Sequence, residues 1–313
     1  MKEKAISSEM GTKPAVTAPS NQRERLELHG IKVSHPDRVI SEAGHITKGD
    51  VAEYYAAAGP FMLPGIAHRP LSLLRCPAGL DHQCFYQRNP GKGLGPDVHP
   101  FEFKHHGTTH EYLYLDDVKG LMEVVQMGAI EIHPWGARID SIDFPDRLIF
   151  DLDPGAGLPF EAVKLAAQDL RQRLRRRGLE SLLKCTGGKG LHVTVPLAEK
   201  DKWEEVKSFA SFVANEMTAA APTAYVATMS KAKRGGKIFI DYFRNDYTAT
   251  AIADYSIRAR AGAPVAMPIE WNELEALESG SQFTMQEVLR RLARKKPARS
   301  PAKLAQRIPS VAE

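Results

Sequence analysis

The 313-residue chain has little that would tie it to a membrane, an oxidising compartment or a bulk polyanion. No apolar run approaches the ~20 residues of a membrane span, so no membrane partner is expected. The start, Met1-Lys2-Glu3-Lys4 and then polar residues, lacks the apolar core of a secretory signal. Cysteines number three (Cys76, Cys84, Cys185) and form no Cys-x-x-Cys, which points to a reducing, cytoplasmic compartment. His82, Cys76 and Cys84, with His105, His106 and His110 further on, match no standard zinc spacing. The net charge of +4 is also thin. Eight basic residues fall between Arg290 and Arg307; setting these and the terminal Glu313 aside leaves 34 basic against 37 acidic residues. Only local clusters can therefore argue for an anionic partner.

What is there reads as interleaved strands and helices. Residues 1–22 lack periodicity and are expected to be a flexible tail; 291–313 read as a basic, proline-broken tail or linker. Asp50–Ala58 has helical spacing and is expected to stop at Gly59-Pro60. Further helices are expected over 119–128, over 160–177 with Val163, Ala167, Leu170 and Leu174 as the apolar stripe, and over 203–219 with Val206, Phe209, Phe212, Val213 and Met217 inward. Strands are expected over 70–75, 111–115, 129–133, 182–185, 191–195 and 238–241.

The chain is organised around Asp146-Arg147-Leu148-Ile149-Phe150-Asp151-Leu152-Asp153-Pro154-Gly155. Alternate residues of a strand share a face, so Asp151 and Asp153 lie side by side. Adjacent carboxylates repel unless a cation stands between them, and an oxygen-rich pair suits Mg²⁺ or Mn²⁺. A polar strand end facing water is the plain alternative. Thr186-Gly187-Gly188-Lys189-Gly190-Leu191-His192 follows; three glycines within four positions let backbone N–H groups cradle an anion, with Thr186, Lys189 and His192 as further contacts. It is neither a Walker A loop nor a dinucleotide fingerprint, and a capped glycine hairpin is the alternative. Asp241, at the end of Ile238-Phe239-Ile240, supplies a third carboxylate, with Arg244 three residues on. Arg258 and Arg260 share a face if extended and could clamp phosphate oxygens. Together these fit two-metal nucleotidyl transfer.

In this order, FDLDPG (150–155), TGGKGLHV (186–193) and IFIDYFRN (238–245) resemble the polymerase/primase domain of bacterial DNA ligase D, of the archaeo-eukaryotic primase superfamily. ITKGDVAEYY (46–55), CFYQRNP (84–90), AIEIHPW (129–135) and YSIRAR (255–260) extend the resemblance over about 25–290. Thr186 stands where that family usually has Ser.

The resemblance implies an α+β primase–polymerase fold over 23–290, with an RRM-like catalytic sheet packed on an N-terminal α/β subdomain around a central cleft. It implies Asp151, Asp153 and Asp241 as ligands of two Mn²⁺ (or Mg²⁺) ions and His133 beside them. Thr186, Lys189, His192, Arg244, Arg258 and Arg260 would contact an NTP or dNTP, and Phe85 and Tyr86 the base and template. Arg38 and Lys48 would grip a DNA 5′-phosphate. The activity implied is addition of nucleotides, ribonucleotides favoured, to a 3′-hydroxyl at gaps, overhangs and break ends in non-homologous end joining. Ku and a ligase domain would be partners, and the bacterial nucleoid in the cytoplasm the location. A non-catalytic end-binding module, or a nucleotide-sugar transferase using the Asp-x-Asp pair, are the alternatives.

Overall fold

The computed structural model describes residues 26–91, 93–294 and 306–309. The expected tail at 1–22 lies outside these residues, as does much of 291–313.

Two short hairpins open the chain: β1 (Glu27–Leu28) with β2 (Ile31–Lys32), and β3 (Val39–Ser41) with β4 (Ile46–Thr47). Helix α1 (Lys48–Ile66) begins in a capping box, Thr47 bonding the Asp50 N–H and Asp50 answering to the Thr47 N–H. It does not stop at Gly59-Pro60; Pro60 and Pro64 both lie inside it. The reason is tertiary. At Gly59 the next helix, α2 (Val118–Gln126), comes so close that an added Cβ would stand 3.0 Å from Val118 Cγ1. Packing along the whole helix outweighs the one hydrogen bond that each proline removes.

The N-terminal sheet contains β5 (Leu71–Arg75), β6 (Phe85–Gln87), β7 (Val98–His105), β8 (Thr108–Leu115) and β9 (Ala129–Pro134), in the order β6-β5-β8-β7 with β9 also on β5. β7 was not expected, since Pro100 interrupts its pattern. It is an edge strand paired only with β8, where a missing N–H is tolerated.

The second sheet has β10 (Arg147–Pro154) at its centre. With β11 (Leu182–Cys185), β12 (Leu191–Pro196), β13 (Tyr225–Val226), β14 (Ile238–Asp241) and β15 (Met267–Ile269) it runs β13-β14-β10-β12-β11-β15. Leu148, Phe150 and Leu152, on one face of β10, are fully buried in one core with Val163, Ala167, Leu170 and Leu174 of helix α3 (Phe160–Arg176). Gly178, at φ +75°, closes that helix. Helix α4 (Trp203–Ala220) buries Val206, Phe209, Val213 and Met217 as expected. Phe212 does not join them: it is 40% exposed, with the Arg177 guanidinium over its ring. Helix α5 (Met285–Leu292) ends the described catalytic part. Beyond it, Gln306 bridges to Leu197, and Arg307 reaches the buried Asp201.

One apolar core runs through both sheets, joining Leu71, Leu73, Ile130 and Ile132 to Phe150, Leu191 and Val193. A buried ion cluster lies between the sheets: Arg69, just before β5, makes a two-pronged contact to Asp146, which also accepts from Arg147 Nε at 2.9 Å. Cys76 and Cys84 form a disulfide, which corrects the expectation of unpaired thiols; Cys185 is free and buried. Among the described residues no helix is long and apolar enough to cross a membrane.

Candidate active site

The ladder of β10 brings the three acids together. Asp151 is directly opposite Asp241 of β14 on one side and His192 of β12 on the other. Opposed residues share a face, and Asp153, two residues from Asp151, shares it too. The carboxylates are crowded where water is scarce. Burial, then Asp151 and Asp241, push the Asp153 carboxyl up to about 6. Burial also raises that of Asp241 against the opposing pull of Arg244. At Asp151 burial again acts upward, but His192 and Arg244 outweigh it and hold the group below its ordinary value.

Arg244 is the cation the acids have in place. Its Nε stands 3.1 Å from Asp241 Oδ2 and its Nη2 3.5 Å from Asp151 Oδ2. Asn245 explains why it is there: its amide bonds both the N–H and the C=O of Ile149 at 2.7 Å, which pins the turn after β14 against β10. Among the described residues no three acid, imidazole or thiol groups form a ready metal cage. The donor set still fits divalent cations. Asp151 Oδ1 is buried without a hydrogen-bond partner, His192 Nε2 lying 3.4 Å away, and one guanidinium does not balance three carboxylates.

The glycine-rich turn abuts this acid face. A Cβ at Gly190 would fall 2.3 Å from Leu152 O and 3.3 Å from Asp153 Oδ1, so only glycine lets the turn approach. Gly187 has φ +68°. The Thr186 hydroxyl is engaged inside the turn, donating to Gly190 O and accepting from Gly188 N–H. Lys189 is exposed, and His192 is buried with its Nδ1 unpartnered.

Arg258 and Arg260 do not lie on a strand; they sit on a bend closed by the Ile257–Val265 bridge. Arg258 donates Nη1 to Thr186 O at 2.8 Å, tying the bend to the glycine turn, while Arg260 is exposed beside Gly188. The bend is anchored by α1: Tyr54 Oη donates to Tyr255 O at 2.7 Å, and the Tyr55 hydroxyl accepts from Ile257 N–H at 3.0 Å. His133, on β9, is buried with Nε2 2.8 Å from Glu131 Oε2. Its ring lies edge-on to Tyr86 at 6.0 Å. Phe85 and Tyr86, on the edge strand β6, are 45% and 61% exposed, so neither is a core residue.

Arg38 and Lys48 are neighbours, the Lys48 N–H donating to Arg38 O at 2.8 Å. Lys48 is buried and, among the described residues, meets no carboxylate. Its Nζ donates to Gln126 Oε1 at 2.9 Å and Ser34 Oγ at 3.3 Å; burial, then Arg38, lower it to about 8. Arg38 is exposed and lines a shallow cavity with His35, Pro36 and Asp37. Ser34 and Gln126 were not legible as site residues, because Gln126 comes from the far end of α2, 78 residues after Lys48.

Comparison with known proteins bears on the fold and the family. Residues 47–298 match the model of the LigD primase-polymerase domain. The multifunctional non-homologous end joining protein LigD of Pseudomonas aeruginosa is 34% identical over 268 residues, 86% of this chain and 32% of that protein. The LigD of Mycobacterium tuberculosis is 33% identical over 274 residues, 84% of this chain and 36% of that protein. The chain thus spans about a third of the length of these curated relatives. The solved polymerase domain of Mycobacterium tuberculosis ligase D in complex with DNA superposes with a TM-score of 0.78 at 32% identity, covering 87% of this chain and 95% of that one. The fold, the facing carboxylates and these matches lead to one statement: the chain belongs to the LigD primase–polymerase domain family and is a nucleotidyltransferase.

Proposed function

We propose that this chain is a template-dependent polymerase that adds nucleotides, ribonucleotides favoured, to a primer 3′-hydroxyl at gaps, overhangs and break ends bearing a 5′-phosphate, in non-homologous end joining. The observation that carries the reading is Asp151 facing Asp241 across one ladder, with Asp153 beside them and the glycine turn against Asp153.

Asp151, Asp153 and Asp241 would hold two divalent cations, Mn²⁺ or Mg²⁺, which supply Lewis-acid chemistry: a lowered 3′-hydroxyl pKa and neutralisation of charge on the α-phosphate. The remaining work falls to the chain's own groups. Lys189, Arg258 and Arg260 offer cationic donors to the triphosphate, and the N–H groups of the 187–190 turn offer neutral ones. Arg244, now paired with Asp151 and Asp241, would be a further cationic donor to phosphate were divalent cations to take its place at the acids. His192, opposite Asp151 on the acid face, and His133, on β9, would orient or donate to the nucleotide. Phe85 and Tyr86 present exposed rings on which bases stack irrespective of sequence.

Lys48 supports the 5′-phosphate part of the reading. A buried ammonium held only by a side-chain amide and a hydroxyl, beside a second cation, retains its charge for an anion. The LigD relatives carry end joining in their names, which supports a repair role with Ku and a ligase domain as partners and the nucleoid as the place of work. Primer extension on gapped duplexes with and without a 5′-phosphate tests this. Extension that requires Mn²⁺ or Mg²⁺, favours the phosphorylated gap and is lost in Asp151→Ala is expected. DNA binding without extension would instead mark an end-binding module.

A further inference from the structure

Glu131 lies in the middle of β9, a strand whose six residues are all buried. A carboxylate in that position costs several kcal/mol in lost hydration unless charges and hydrogen bonds answer it. Here both oxygens are engaged, in three contacts. Oε2 stands 2.8 Å from His133 Nε2; Oε1 accepts from Arg258 Nε at 3.0 Å and from the Ala259 N–H at 2.8 Å. Burial pushes the carboxyl up, but His133, Arg258 and the Ala259 N–H outweigh it and hold it at about 2, so it is ionised at any working pH.

The contacts run further. Arg258 passes from Glu131 to the Thr186 carbonyl at 2.8 Å. Gly187 leaves it the room, since a Cβ there would fall 2.6 Å from Arg258 Cγ. One carboxylate thus joins an imidazole of the N-terminal sheet, a guanidinium 127 residues later and, through it, the glycine turn of the catalytic sheet. Neither His133 nor Arg258 is oriented by any other acid at hydrogen-bond distance among the described residues. A cationic donor fixed before its ligand arrives loses less freedom on binding, and a fixed imidazole presents one nitrogen in one state.

We propose that Glu131 is the positioning residue of the nucleotide site, locking Arg258 at the triphosphate and accepting the Nε2–H of His133 so that Nδ1 is the ring's acceptor. The proposal rests on the reading that His133 and Arg258 face the nucleotide, and its test separates the two.

The first measurement uses the intact wild-type protein. Heteronuclear NMR of ¹³C,¹⁵N-histidine-labelled protein, with His133 assigned by its loss in His133→Ala, reports which ring nitrogen carries the proton. The Nε2–H tautomer is expected, and the Nδ1–H tautomer would overturn the assignment. The second uses Glu131→Gln, which keeps the shape and an acceptor for Arg258 but replaces the acceptor facing His133 by an NH₂. His133 should shift to Nδ1–H, and the KM for NTP should rise about tenfold or more, with kcat falling by less, at an unchanged primer KM. Adding Arg258→Ala to Glu131→Gln should raise the KM little beyond Arg258→Ala alone. If Arg258→Ala raises the KM while a folded Glu131→Gln enzyme keeps wild-type values, Glu131 is only a core acid and the nucleotide reading stands. If Arg258→Ala and His133→Ala both leave NTP kinetics unchanged, the nucleotide reading itself fails. Should Glu131→Gln not fold, the wild-type tautomer alone decides.

Discussion

Two acid clusters, one just before β10 and one on it five residues further on, differ in how their charges are answered. Asp146, at the entrance to β10, is gripped by Arg69 and Arg147, and their charges outweigh burial to hold its carboxyl well below the usual range. Asp151 and Asp241, further along, share one half-exposed guanidinium, and burial with these two acids pushes Asp153 up to about 6. Both clusters are buried or nearly so, and both use arginine. Only the charge count differs. The first cluster, one acid between two guanidinia, ties Arg69, just before β5, to the start of β10; the second has acids in excess, the setting that favours a divalent cation. Lys48 is the mirror image, a buried cation with no acid partner among the described residues.

Removing a member from each cluster should separate function from stability. Asp151→Ala should lower primer extension by about three orders of magnitude or more, the several kcal/mol of lost charge stabilisation, with a loss of stability much smaller than that of Asp146→Asn. Steady-state extension beside calorimetry checks it, and a large loss of stability would erase the contrast. Asp146→Asn should do the reverse: it strands two guanidinia, one of them 1% exposed, and should cost about 3–5 kcal/mol of stability in urea unfolding. Extension measured on the folded fraction should remain.

The mirror-image site predicts a smaller effect. Lys48→Ala should weaken binding to 5′-phosphorylated gaps about tenfold or more, and binding to unphosphorylated gaps far less. Equal losses on both, by fluorescence anisotropy, would remove the phosphate pocket.

The pH dependence of stability should carry opposite slopes, each at most about 1.4 kcal/mol per pH unit per group. Asp146 has a depressed folded value, so its contribution is present above its ordinary range and is lost as the pH falls through and below it. Asp153 has a raised folded value, so without added cations stability falls as the pH rises from 3.8 towards about 6. Denaturant titrations of Asp146→Asn and Asp153→Asn against wild type isolate the two slopes.

Much of this was legible in local pattern. The alternation through Leu148–Asp153 fixed the shared face of two acids, and the strand ending at Asp241 was read with its bounds. The glycine turn was legible because its spacing is a backbone requirement. What failed was whatever long-range packing decides. Gly59-Pro60 reads as a stop, yet α2 packs against the glycine and the helix continues. Pro100 hid an edge strand that tolerates it. Phe212 has helical spacing but lies on the solvent side under Arg177. Arg258 and Arg260 were found as a cationic pair, though a bend rather than a strand presents them. Pairing of Cys76 with Cys84, and the partners of Glu131 and Lys48, depend on segments brought together only by the fold.

The central claim is that three crowded carboxylates leave the catalytic sheet short of positive charge. Thermal unfolding of wild type and Asp153→Asn, each with and without Mn²⁺, tests it most directly. Wild type should melt higher with Mn²⁺, whereas Asp153→Asn should already melt higher without it, by about 1–2 kcal/mol at neutral pH, and respond little to the ion. An Asp153→Asn protein that melts lower than wild type and still gains from Mn²⁺ would contradict the account.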